Sequence, residues 1–91
     1  MEFEWAPEKA ARNFRKHGVS FDEAATVFGD PLSATASDPD HAFQEHRFIT
    51  VRRPAIGHLL MVAHADRSGK TRLISTRKLT RNERKAYGEI E

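Results

Sequence analysis

The sequence predicts an α+β domain: an antiparallel sheet of about four to five strands, two helices before it and one after. Three observations carry this. Two helical patterns, each with its own start and stop signals, fill the first third of the chain. β-prone segments separated by turn formers fill the middle. A further helix-start signal opens a last helix near the C-terminus. The 91 residues give room for one domain, spanning 1–91.

Phe3-Glu4-Trp5 alternates apolar and polar and reads as a short edge strand. Pro7 suits the first turn of a helix, where its missing N–H would be unpaired anyway. That helix runs to about His17, with Ala10, Ala11 and Phe14 on one side and Glu8, Arg12, Arg15 and Lys16 largely on the other. Gly18 can take the left-handed conformation that ends it. Ser20 with Glu23 forms a capping box for the second helix. Phe21, Ala24, Ala25 and Phe28 make its apolar stripe, and Gly29-Asp30-Pro31 stops it.

Leu32 to Ala36 is weak strand material, followed by a loop at Ser37-Asp38-Pro39-Asp40. Arg47 to Arg53 is β-prone, and Arg53 to Gly57 reads as a turn. His58 to Ala65 holds five apolar residues in a row, the pattern of a central strand buried on both faces. Asp66-Arg67-Ser68-Gly69 is a hairpin loop, and Thr71 to Arg77 returns as the next strand. Thr80 with Glu83 makes a second capping box. The last helix, about ten residues long, has Ala86, Tyr87 and Ile90 as its apolar side. Short loops between the late strands argue for an antiparallel meander.

Composition removes several function classes. There is no cysteine, hence no disulfide framework and no thiolate metal site. No apolar run approaches the roughly 20 residues that span a bilayer, and the acidic N-terminus lacks signal-peptide character. The expectation is a soluble cytoplasmic protein without membrane association. His41 and His46 lie near Asp38, Asp40 and Glu45, but without tight ligand spacing, so no metal site or other cofactor is expected.

Charge is distributed unevenly. Residues 1–46 carry four basic and nine acidic side chains; residues 47–91 carry eleven basic and four acidic. From Arg67 to Lys85 eight basic residues face one acid, Glu83. Such a field attracts polyanions. RNA carries its own nucleophile, the 2′-hydroxyl. Its cleavage needs a base, cations around the pentavalent phosphate and an acid for the leaving 5′-oxygen. Hydrolysis of DNA by water more usually demands metal ions. A basic domain poor in metal ligands therefore favours RNA.

Strand alternation nominates the groups. Glu45, Arg47, Ile49 and Val51 share one face, and His64 shares one with Leu60 and Val62. Arg77 is placed with Leu73 and Ser75, and Arg72 on the other face with Ile74. Charges that continue an apolar face mark a core rim opening to a cleft. Against this, Arg47 pairing with Glu45, His64 as a core histidine and Glu83 as a mere cap are the structural alternatives.

Further runs are more specific. Lys16-His17-Gly18-Val19-Ser20-Phe21-Asp22-Glu23-Ala24 follows Phe3-Glu4-Trp5 and precedes Val27-Phe28-Gly29-Asp30-Pro31. Later come Glu45-His46-Arg47-Phe48-Ile49, Ile74-Ser75-Thr76-Arg77-Lys78 and Glu83-Arg84-Lys85-Ala86-Tyr87. In this order, over nearly the whole chain, they resemble the BrnT toxin family. The resemblance implies a RelE-like ribonuclease fold and the toxin role in a type II toxin–antitoxin pair. It also implies a BrnA-like ribbon-helix-helix antitoxin, through which the complex binds operator DNA. It carries over Lys16, His17, Glu45, Arg47, Arg77, Lys78, Glu83 and Tyr87. Two departures stand out: Trp5-Ala6-Pro7 where the family usually has Trp-Asp-Pro, and Thr76 where it often has alanine.

The expected activity is metal-independent cleavage of RNA. Arg77 and Arg47 would stabilise the phosphorane, with His64 or Glu45 as general base. Tyr87 or His17 would serve as acid or stack on a base. Lys78, Arg81, Arg84, Lys16, His17 and Arg72 would bind RNA. The rival expectation is a non-catalytic module that binds RNA or docks the antitoxin as a corepressor.

Overall fold

The computed structural model describes residues 2–29, 33–37, 47–51 and 59–87, with Arg47 and Tyr87 described by their backbone alone. The elements run β1 (Phe3–Glu4), α1 (Pro7–His17), α2 (Phe21–Ala25), a 3₁₀ turn (Thr26–Gly29), β2 (Ala34–Ser37), β3 (Arg47–Val51), β4 (Leu60–Arg67), β5 (Lys70–Lys78) and α3 (Arg81–Tyr87). One sheet holds all five strands in the order β1-β5-β4-β3-β2. The four later strands form the expected antiparallel meander. β1 departs from the all-antiparallel expectation: it runs parallel to β5, Phe3 opposite Thr71 and Glu4 opposite Arg72. The crossover through α1 and α2 makes this parallel return feasible.

α1 begins with Ala6 as N-cap, without a side-chain cap, and Pro7 in its first turn. Gly18, at φ 73°, ends it, donating its N–H to Phe14 O at 2.8 Å. The apolar stripe read from the sequence is not the buried one. Phe14 is 55% exposed and Ala11 is exposed, while Asn13 is buried. The reason lies in β5. β1 pairs with only two of its residues, so farther along that edge β5 needs another partner. Asn13 Nδ2 donates to Thr76 O at 2.9 Å, and Thr76 N–H donates to Asn13 Oδ1 at 3.1 Å. The amide thus takes the place of a ladder residue, and its Nδ2 also donates to Val19 O at 3.2 Å.

Ser20 caps α2 by accepting from the Glu23 N–H at 3.0 Å. The 3₁₀ turn that follows has three residues per turn. Phe21, Ala24 and Val27 consequently stack at spacing three and are fully buried, while Ala25 and Phe28 are only partly so. The core joins these to Val19, Leu60, Val62 and Leu73, with Phe3, Trp5 and Ala10 at its margin. Trp5 meets Phe21 edge-on at 5.7 Å, and Phe3 packs on Phe28 at 5.3 Å.

The expectation of β4 buried on both faces is corrected to one: Leu60 and Val62 are buried, Met61 and Ala63 half-buried. β4 and β5 meet through two residues, not four. Ser68 and Gly69 have φ of 51° and 79°, the doubly positive pair of a type I′ turn. A β-bulge interrupts the ladder: His64 faces Leu73, but Ala63 faces Ser75, leaving Ile74 without an opposite residue. The Arg53–Gly57 turn, Glu45, the His41 and His46 cluster and Ile90 lie outside the described residues.

Candidate nucleic-acid interface

The bulge decides which charges meet. Beyond Ile74 the alternation of β5 is reversed, because the extra residue shifts the side-chain parity by one. Arg77 therefore lies opposite Met61, on the face of Ser75, and not on the face of Leu73. Arg72, opposite Ala65, belongs to that same face. Arg47 also pairs with Ala65, so its strand position is on this side too. The sequence expectation that Arg72 and Arg77 point apart is thus corrected: both stand on the face away from α2.

His64 is on the other face. It is 6% exposed, held between Phe28 (edge-on, 4.8 Å) and Phe48 (stacked, 5.7 Å). Its Nε2 is 2.7 Å from the Thr50 hydroxyl, which is 2.7 Å from the Thr35 hydroxyl. Burial pushes its pKa down, with Asp66 partly opposing. Its other ring nitrogen, Nδ1, is buried and has no hydrogen-bond partner among the described residues. A rim position beside Arg77 is therefore corrected to a core position behind the sheet.

Arg77 is already engaged. Its Nη1 and Nη2 donate to Glu83 Oε1 and Oε2 at 2.7 and 2.8 Å, and Nη1 also to Lys78 O at 3.2 Å. Glu83 Oε1 accepts from the Thr80 N–H at 2.8 Å while the Thr80 hydroxyl accepts from the Glu83 N–H at 3.2 Å. This is the complete capping box the sequence predicts, with an arginine added. The Arg77 hydrogen bond, then the Thr80 N–H, hold the Glu83 carboxyl down at about 2, and the same pair raises the Arg77 pKa. Such a carboxylate is a poor proton acceptor at neutral pH. Arg72 is likewise paired, to Glu4 at 3.3 Å, tying β1 to β5. Arg84 Nη1 donates to Leu79 O at 3.3 Å. Lys78 and Arg81 are exposed.

Lys16 and His17 are brought into a different setting. They line an open groove of about 240 Å³ between α1 and β5, together with Lys9, Arg12, Asn13, Ile74 and Ser75. The groove lies where β1 no longer pairs with β5 and where the bulge displaces Ile74. Ser75 links it to the Arg77 face, two strand residues or roughly 7 Å away. Reading the sequence by apolar side chains missed Lys9, Arg12, Asn13 and Ser75. The signal was available in helical spacing: 9, 12, 13, 16 and 17 fall on one stripe.

Comparisons with known proteins agree with this architecture. The family model described as the ribonuclease toxin BrnT of type II toxin–antitoxin systems matches residues 5–83. The crystal structure of the Brucella abortus ribonuclease toxin BrnT superposes with a TM-score of 0.67 at 22% identity, covering 89% of this chain and 99% of that one. No curated relative matches the chain.

Proposed function

The chain belongs to the BrnT family of ribonuclease toxins of type II toxin–antitoxin systems, and from that premise we propose that it cleaves single-stranded RNA by attack of the substrate's own 2′-hydroxyl. The observation that carries the reading is the groove. It gathers His17 and Lys16 with Ser75 of β5, which stands two strand residues before Arg77. An imidazole is the side chain best suited to move a proton at neutral pH.

In this mechanism the 2′-oxygen loses its proton to a base and bonds to phosphorus, and the P–O5′ bond breaks. The leaving oxygen takes a proton from an acid. The products are a 2′,3′-cyclic phosphate and a 5′-hydroxyl. His17 fills one proton role; Glu45 and Tyr87 are the candidates for the other. Lys16 and Arg77, with Arg47 on the same sheet face, stabilise the phosphorane charge. Lys78 and Arg81 hold flanking phosphates. Arg72 and Arg84 add to the positive field that attracts the RNA. Buried His64 takes no part.

The proposed partner is a BrnA-like ribbon-helix-helix antitoxin that covers the basic groove with an acidic segment and alone contacts operator DNA. The setting is the cytoplasm.

Incubation of the purified protein with naked single-stranded RNA, with and without chelator, tests the reading. Fragments ending in 2′,3′-cyclic phosphate, at a rate indifferent to chelator, are expected. Loss of cleavage with chelator overturns the metal-independent route. RNA binding without fragments favours a non-catalytic module.

A further inference from the structure

We propose that Lys9 and Arg12 continue the site along α1 as a phosphate track, so that the groove binds several nucleotides of single-stranded RNA and not the reacting phosphate alone. The inference rests on the ribonuclease reading only for which end of the track holds the scissile bond.

Lys9, Arg12 and Lys16 stand at i, i+3 and i+7, one stripe of α1. From the first to the last the helix rises about 10 Å. All three line the same open groove. Among the described residues none of them is in an ion pair, whereas Arg72 and Arg77 each have a carboxylate. Beside these cations the groove presents His17 and the Ser75 side chain. Asn13 is occupied by the backbone of Thr76 and Val19. Ile74 is the one apolar lining residue.

That composition selects the occupant. A protein segment docks through buried aromatic or aliphatic anchors ringed by polar groups, whereas Ile74 is the one aliphatic residue among the seven that line this groove. A flexible phosphodiester chain needs a run of cations along an open trough. The α1 cations also sit in the half of the chain where acidic residues prevail. Their gathering on one stripe is a local arrangement and not a by-product of overall basicity.

The test uses a 12-nucleotide 2′-O-methyl RNA, which binds but offers no 2′-hydroxyl nucleophile. Its affinity is measured by fluorescence anisotropy from 0.05 to 1 M salt. The variants are the wild type, Lys9→Ala/Arg12→Ala and the control Lys70→Ala at the far hairpin. Each phosphate contact on a single strand adds about 0.7 to the log–log salt slope. The double variant is expected to bind with a slope shallower by about 1.4. Binding then weakens about 25-fold at 0.1 M and converges with wild type near 1 M. Lys70→Ala should keep the wild-type slope. Equal slopes for wild type and double variant overturn the track, as does a loss of the same size at every salt concentration. Cleavage of unmodified RNA by the wild type is scored in parallel. A wild type that binds with the track signature yet cleaves nothing removes the ribonuclease reading and leaves the track standing. A wild type that cleaves while the double variant binds unchanged removes the track alone.

Discussion

Where the helices meet the sheet, buried polar groups are hydrogen-bonded, the His64 Nδ1 excepted among the described residues. Asn13 satisfies Thr76 from both ends of its amide, and His64 bonds Thr50 beneath Phe28 and Phe48. Along the β5 edge and the far face of the sheet, the cations gather at half-buried positions tied to carboxylates or at exposed positions lining a groove. The two histidines among the described residues show the consequence. His64 is locked into the core, and His17 sits at a groove among lysines and arginine. The same side chain is packed into the core on β4 and lines an open groove at the end of α1. Depth and neighbours decide the difference, not residue type.

The sharpest test of that contrast is on the far face. Arg77→Ala is expected to lower RNA cleavage at least about 100-fold, the usual cost of deleting a group that stabilises a transition-state oxyanion. Glu83→Gln keeps an amide near the Thr80 N–H but removes the charge. Its side chain is 37% exposed, so solvent screens the pair and the expected stability loss is only about 0.5–1 kcal/mol. The stability that Glu83 confers is present above the ordinary carboxylate range and is lost as pH falls toward about 2. If the two variants cost the same small amount in cleavage rate, Arg77 serves only to anchor α3.

At the β5 edge that α1 completes, the effect falls on stability. Asn13→Ala leaves the Thr76 N–H and two carbonyls without their partner. Each buried orphan costs about 1–3 kcal/mol, so a loss of about 3 kcal/mol is expected. For a domain of this size that lowers Tm by roughly 15 °C. Calorimetry that finds Asn13→Ala within 2 °C of wild type removes the amide from its place in the ladder.

The smallest effect is pH dependence. The folded-state pKa of His64 lies below its ordinary value, so below about pH 6.5 the unfolded chain takes up a proton that the fold refuses. Stability is full above that pH and falls as pH drops through the folded-state value, by at most about 1.4 kcal/mol per pH unit. Urea denaturation between pH 7.5 and 5 measures the slope, and His64→Gln should flatten it. An unchanged slope in the variant assigns the effect to another group.

Much of the fold is legible in residue order because its signals are local. Pro7 and Gly18 bound α1, Ser20 and Thr80 cap the helices that follow them, and Ser68-Gly69 closes the hairpin. Each acts within a few residues of itself. The basic stretch from Arg67 to Lys85 likewise announces a polyanion partner by composition, and the runs at Lys16–Ala24 and Ile74–Lys78 announce the family. The parallel placement of β1 was not legible, since a two-residue strand carries no signal of direction. The bulge at Ile74 was not legible either, and it reversed the assignment of Arg72 and Arg77. Strict alternation holds only while two strands remain in register.

By itself, then, the sequence determined the elements, their caps, the excess of positive charge in the second half and the kinship. Those depend on short-range propensity and on composition. The tertiary structure alone decided which cations share a sheet face and which line the groove. That depended on where β1 stops pairing, how Asn13 fills the gap and how one unpaired residue turns β5. The first two are contacts between segments more than sixty residues apart along the chain, the third is an irregularity inside a hairpin ladder, and no local pattern encodes them.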